Sequence, residues 1–107
     1  MMKQEYKAQW LSDLRSGNYT QGTGVLRTYD DKFCCLGVLL DQEDNIWMKD
    51  EDNDYYYKTK TGDETGLSEK DLQRYGMTFS EMDILITKND VDKCTFKEIA
   101  DWIEACL

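Results

Sequence analysis

The sequence predicts a single α+β domain over residues 1–107, with N- and C-terminal helices packed around a short antiparallel sheet. Three observations lead to this prediction. Helical periodicity occurs at both ends of the chain, and short segments separated by turn residues fill the middle. The 107 residues are 40% hydrophobic, which suffices for one modest core. No repeat, linker or proline divides the chain, so we expect one folding unit.

The first predicted element is a helix from Lys3 to Ser16, with Gly17 as its C-terminal cap. We interpret residues 18–24 as a loop and residues 25–29 as a short strand, and we place a turn at residues 30–31. The helix prediction depends on large apolar residues that share one helical face, namely Tyr6, Trp10, Leu11 and Leu14.

The longest apolar run, residues 33–40, fits either a buried strand or a buried helix, because periodicity cannot separate the two. We predict a helix from Phe33 to Gln42. Glycine inside a helix costs about 1 kcal/mol relative to alanine and is tolerated mainly where another element packs closely. Gly37 therefore predicts a tight crossing.

The middle of the chain predicts a hairpin. We expect two short strands, Asn45 to Lys49 and Tyr55 to Thr59, joined by an acidic turn at residues 50–54. A surface loop at residues 61–66 follows, because this segment is rich in glycine, threonine and acidic residues.

Three helices are predicted in the last third of the chain. Residues 68–71 resemble a capping box that starts a helix ending at Gly76, and a second helix spans Ser80 to Asn89. Thr95 and Glu98 form a fuller capping box for the final helix. That helix carries an apolar stripe of Ile99, Trp102, Ile103 and Cys106.

The net charge of −9 restricts the partners that we expect. A field of that sign repels nucleic acid and anionic membrane surfaces and attracts a basic protein surface. The polar N-terminus and the short apolar run at residues 33–40 predict neither a signal peptide nor a membrane span. We expect the protein to stay in the compartment where it is made.

Catalytic and metal-binding groups are scarce. The chain has no histidine, and its four cysteines (34, 35, 94 and 106) form no C-x-x-C pair, so we expect reduced and mostly buried thiols, no cofactor and no enzyme activity. Residues 50–54 open like a calcium loop. Tyr55 then occupies the position of the turn glycine, and Thr61 occupies the position of the bidentate glutamate. The segment is therefore not a calcium-binding loop of this type.

One candidate binding surface is acidic. Carboxylates are concentrated just before the predicted hairpin and in its turn. They are either solvated turn residues or a negative face for a protein partner. The residues of this predicted acidic face are Asp41, Glu43, Asp44, Asp50, Glu51, Asp52 and Asp54.

The second candidate surface follows the first helix and contains Arg15, Tyr19, Gln21 and Arg27 among glycines. The guanidinium group of arginine donates paired hydrogen bonds to phosphate, and a tyrosine ring stacks on a base. Glycines let backbone amides approach a ligand closely. These are components of a nucleotide pocket. No known phosphate-binding pattern is present, so the same residues also fit a helix cap with a surface salt bridge.

Three motifs carry a family resemblance. The chain reads W-x-x-x-L-R-S-G-x-Y-x-Q at residues 10–21, C-C-L-G-V-L at residues 34–39 and F-x-E-I-A-D-W-I-E at residues 96–104. It thereby resembles a family of small tailed-phage proteins of unassigned function. Leu40 departs from that family's frequent second cysteine, which weakens any metal or redox role.

The resemblance implies a protein that acts on a bacterial host from within the host cytoplasm. Our first hypothesis is a counter-defence or host-takeover protein that inhibits a nucleic-acid-handling host protein through its acidic face. The alternative is a homo-oligomeric sponge that sequesters a nucleotide immune signal in the arginine-containing pocket. A carboxylate-based hydrolase and a structural virion component are the remaining alternatives.

Overall fold

Five helices and four short strands make up the fold, as seen in a computed structural model that describes residues 1–107. The α+β class and the single domain are confirmed, and the two terminal helices pack against each other. In chain order the elements are α1 (Gln4–Arg15), β1 (Thr20–Gln21), β2 (Lys32–Phe33), α2 (Cys35–Leu40), β3 (Trp47–Lys49), β4 (Tyr57–Thr59), α3 (Glu69–Tyr75), α4 (Phe79–Asp90) and α5 (Phe96–Cys106).

The predicted antiparallel hairpin is present as β3 and β4, each shorter than expected. Trp47 pairs with Thr59, and Lys49 pairs with Tyr57. The acidic turn at residues 50–54 joins the two strands, as predicted. The hairpin therefore projects its acidic residues from one end of a two-stranded ribbon.

A second, parallel pair of strands was not predicted. Thr20 of β1 pairs with Lys32, and Gln21 pairs with Phe33. The predicted strand at residues 25–29 is reduced to isolated bridges at Arg27 and Thr28. The expected loop at residues 18–24 therefore contains a strand, and residues 25–29 form only single bridges instead of the expected strand.

The core is centred on α2, whose six residues are all buried. Helix α2 packs against α1 and α4, and α5 packs against the same two helices. The Trp10 indole of α1 is fully buried and donates from Nε1 to the Cys35 carbonyl at 2.8 Å. This bond satisfies the one polar group that the indole brings into the core.

The tight crossing predicted at Gly37 is confirmed. A Cβ at this position would lie 1.9 Å from the Leu26 carbonyl oxygen and 2.8 Å from its carbonyl carbon. Only glycine therefore allows the segment around Leu26 to cross α2. The helix itself is shorter than the predicted 33–42, because Phe33 belongs to β2 and Asp41 is already the C-terminal cap.

Capping residues set the ends of the C-terminal helices. The Ser68 hydroxyl accepts from the Asp71 amide at α3, which ends at Gly76 with φ of 72°. Thr95 and Glu98 form the complete capping box predicted for α5. These local signals placed both helices correctly.

The predicted start of α4 at Ser80 was wrong. The cap is Thr78, whose hydroxyl accepts from the Glu81 amide while the Glu81 carboxylate accepts from the Thr78 amide. The helix consequently begins at Phe79, whose side chain is 68% exposed.

All four cysteines are free. Cys34 and Cys35 are buried, and desolvation raises the pKa of the Cys34 thiol to about 12 and that of Cys35 well above its usual value. Cys94 is half-buried, and Cys106 is exposed, so the apolar stripe predicted for α5 ends at Ile103. No helix combines the length and apolar character needed to cross a bilayer.

Candidate functional site

The predicted acidic face divides into two groups, and the first serves the fold. Asp41 accepts from the Trp47 indole through Oδ1 at 2.8 Å and from the Tyr19 hydroxyl through Oδ2 at 2.6 Å. Glu43 accepts from the Tyr75 hydroxyl at 3.3 Å and forms an ion pair with Arg74 at 3.7 Å. These two carboxylates hold buried and half-buried side chains in place.

The second group lies at the end of the β3–β4 hairpin, which we call the hairpin tip (residues 50–55). Asp50 is its structural member, because Oδ1 accepts from the Asp52 amide at 2.9 Å and the carboxylate pairs with Lys58 at 3.3 Å. The Asp52 amide and then Lys58 lower the pKa of Asp50. The Asn53 side-chain oxygen accepts from two successive amides at 3.0 Å, which fixes the turn.

The remaining acids of the predicted face are free of ion pairs. Glu51, Asp52 and Asp54 of the hairpin tip are exposed, and Asp44 is exposed before β3. Beside the tip carboxylates, Tyr55 is 78% exposed. The hairpin tip therefore presents an aromatic ring among unpaired carboxylates on a turn held by its own hydrogen bonds. No three acidic or cysteine residues come together to hold a metal ion.

The predicted ligand residues do not converge on one cavity. Arg15 reaches α5, where it donates to Asp101 at 2.9 Å and to Glu104 at 2.7 Å. It also lines a shallow depression of about 360 Å³ with Lys97. Neither Tyr19, Gln21 nor Arg27 lines that depression.

Tyr19 and Gln21 face the interior. The Tyr19 ring stands edge-on to Phe33 with 5.0 Å between ring centroids, and burial raises the pKa of its hydroxyl, helped by the bond to Asp41. The Gln21 amide donates to Asn89 Oδ1 at 2.9 Å and to the Cys94 carbonyl at 2.8 Å.

Arg27 is enclosed by aromatic rings. Its guanidinium carbon lies 4.4 Å from the centroid of Tyr57, 5.1 Å from that of Phe33 and 5.6 Å from that of Trp47. The same group pairs with Asp31 at 2.7 Å. Cation–π contacts and an ion pair therefore occupy the guanidinium that a phosphate would need.

Asn89 is a central residue that the sequence reasoning missed. It is 1% exposed and donates from Nδ2 to the Gly22 carbonyl at 2.9 Å. Its Oδ1 accepts from Gln21 and from the Cys35 amide at 3.2 Å. The available signal was its position four residues after Leu85, on the apolar face of α4.

A groove of about 490 Å³ between α4 and the loop at residues 62–67 was also missed. Phe79 lies on its α4 side. Because the sequence reasoning started α4 at Ser80, Phe79 was assigned to no surface. The signal that would have found it is the pair Thr78 and Glu81 at capping-box spacing.

Next to the groove, two carboxyl groups meet. Asp71 is fully buried and pairs with Arg74 at 3.2 Å, while Asp63 accepts from the Ser68 amide at 3.1 Å. Burial, and then the neighbouring Asp71 carboxyl group, raise the pKa of Asp63 to about 6. Asp63 therefore loses its proton near pH 6, above the range of an ordinary aspartate.

Comparison with known proteins identifies one family. A family model described as "Domain of unknown function (DUF8296)" matches residues 2–78, from before α1 to the N-terminal cap of α4. No curated protein and no solved structure matches the chain.

Proposed function

The chain belongs to the DUF8296 family, and we propose that it is a non-catalytic binding protein of phage origin that inhibits a host protein by stoichiometric association. The partner is a nucleic-acid-handling protein of the bacterial cytoplasm, and the acidic chain occupies its basic surface. This activity requires no cofactor and no reacting group.

One observation carries the proposal: at the hairpin tip, three unpaired carboxylates accompany the 78% exposed ring of Tyr55. Tyrosine is enriched among residues that dominate binding energy, because it buries a large area with few rotatable bonds. The carboxylates complement Lys and Arg on the partner. The bonds of Asp50 and Asn53 order the turn before binding, which reduces the entropy lost on association.

The overall charge supports the same partner class. A net charge of −9 accelerates encounter with a basic surface and opposes encounter with DNA, RNA or another acidic protein. The association rate is therefore expected to fall strongly as the salt concentration rises.

The family-like motifs contribute mainly to the core. Trp10 and Cys35 are joined by a buried hydrogen bond, and Gly37 is required by the backbone crossing at Leu26. These residues maintain the fold, whereas the hairpin tip lies outside the three motifs and is open to a partner. We do not extend the proposal to nucleotide sequestration, because the fold engages Tyr19 and Arg27 internally.

The test uses two triple variants with equal net charge. Glu51→Gln/Asp52→Asn/Asp54→Asn removes the tip carboxylates, and a control variant carries Glu5→Gln/Glu69→Gln/Asp92→Asn at exposed positions without ion pairs. A partner captured from bacterial lysate is purified and titrated with each variant by calorimetry.

We expect the tip variant to bind at least about tenfold more weakly and the control about twofold more weakly. Tyr55→Ser is expected to match the tip variant. Equal weakening by both triple variants would reduce the effect to net charge and refute a specific role for the tip.

A further inference from the structure

The groove between α4 and the loop at residues 62–67 has a fixed apolar side. Phe79, Met82 and Ile86 follow one another at spacings of three and four on α4, and Leu67 faces them from the loop. The Leu67 amide lies 3.2 Å from the Met82 sulfur and donates to it. A Cβ on Gly66 would be 3.5 Å from the same sulfur, so the loop packs directly on the helix.

The rest of the groove is acidic. Asp63, Glu64 and Asp83 line it, and no lysine or arginine does. Glu64 accepts a hydrogen bond from the Tyr56 hydroxyl at 3.3 Å, whereas Asp83 is exposed and has no ion pair. Three carboxylates thus surround an apolar surface without a compensating cation.

We propose that this groove docks a peptide segment of a partner protein in which a lysine or arginine stands next to a bulky aliphatic or aromatic residue. The apolar side chain packs on Phe79 and Met82, and the cation reaches the carboxylates. Phe79 is the anchor, because it is 68% exposed at the first turn of α4 and loses the most water-accessible apolar surface on binding.

Charge complementarity favours this occupant over two others. A second copy of the chain would bring a molecule of charge −9 against another of the same charge. A membrane surface with anionic headgroups would meet Asp63, Glu64 and Asp83 and be repelled.

The groove and the hairpin tip are different surfaces of the molecule. The hairpin tip is built from β3, β4 and their turn, whereas the groove is built from α4 and the loop before Ser68. Variants of one surface leave the other intact, so each proposal fails or succeeds by itself.

The first experiment selects a random peptide library on the immobilised wild-type protein, with counter-selection on Phe79→Ser. We expect the recovered peptides to combine lysine or arginine with a neighbouring leucine, isoleucine or aromatic residue. Recovery of peptides without basic residues would overturn the proposal, and so would a failure to recover any peptide that distinguishes the two proteins.

The second experiment measures the affinity of a recovered peptide by fluorescence anisotropy. Phe79→Ser is expected to weaken binding about tenfold and Asp83→Asn about threefold. Val91→Ser is the matched control, because Val91 is 71% exposed at the opposite, C-terminal end of α4 and does not line the groove. An equal loss in Val91→Ser would refute the site, as would a wild-type dimer in sedimentation that Phe79→Ser dissociates.

Discussion

We predicted binding residues both in the segment at residues 15–27 and at the hairpin tip. In the structure, the side chains of the first region contact other parts of the protein, whereas those of the second do not. In the first segment, Arg15, Gln21 and Arg27 all bind partners within the protein. In the hairpin tip, Glu51, Asp52 and Asp54 have no ion pair. Two regions of similar polarity in the sequence therefore differ in role: residues 15–27 stabilise the fold, and the hairpin tip is an exposed surface.

Contacts within the protein separate the two roles. A guanidinium that contacts three rings and a carboxylate has to lose those contacts before it binds a ligand. An exposed carboxylate gives up only water.

The largest effect is expected where α2 meets the first segment. Gly37→Ala places a methyl group 1.9 Å from the Leu26 carbonyl oxygen, and backbone cannot rotate away as a side chain does. We expect a loss of more than about 4 kcal/mol in unfolding free energy, or no folding at all, by urea denaturation. Gly66→Ala meets only ordinary contact at 3.5 Å and serves as the control. Equal stability of the two variants would contradict the crossing.

Asn89→Ala removes the residue that holds the first segment to α4. The Gly22 carbonyl and the Cys35 amide lose their side-chain partner in a buried environment. We expect a loss of about 2 to 4 kcal/mol by urea unfolding. Thr87→Ala, exposed on the same helix, should be nearly neutral. A neutral Asn89→Ala would mean that the first segment is not anchored through this side chain.

The raised pKa of Asp63 predicts that the free energy of unfolding depends on pH. Its folded pKa of about 6 lies above the unfolded value, so its stabilising contribution is complete below the unfolded pKa and is lost as pH rises through 6. Solvent screens this half-exposed group, so we expect wild type to lose about 1 kcal/mol relative to Asp63→Asn between pH 4 and 7.

Urea unfolding at a series of pH values measures this difference, in which most other titrations cancel. Thr65→Ala provides the control, because Thr65 lines the same groove, is exposed and carries no titratable group. A constant difference between wild type and Asp63→Asn over this range would show that the pKa of Asp63 is not raised by folding.

The smallest effect is expected at the hairpin tip. Glu51→Gln/Asp52→Asn/Asp54→Asn removes no ion pair, so its urea midpoint should equal that of wild type while partner binding falls. A clear drop in the midpoint would show that the tip, like the first segment, serves the fold.

Local signals accounted for most of the fold. A few residues each predict a local geometry from the sequence close to them. These are Gly37 at the helix crossing, Gly76 at the end of α3 and the Thr95–Glu98 capping box of α5. The parallel pairing of β1 with β2 left no such signal, because two-residue strands have no readable alternation.

The candidate site was less accessible from sequence, because its assignments depend on partners far along the chain. Arg15 is engaged by Asp101 and Glu104, and Gln21 is engaged by Asn89. Residue type indicates what a side chain is able to bind. Only the tertiary structure indicates whether it is already bound.

The packing of α1 against α5 has a consequence for the order of folding. During synthesis α1 leaves the ribosome long before α5, so part of its apolar face has no native cover until Ile99 and Ile103 emerge. Bringing α1 and α5 together closes a long chain segment, and the entropy of that closure is lost before the contact stabilises the fold. The native packing of α1 therefore waits until α5 has emerged, and until then part of its apolar face remains open to non-native contacts.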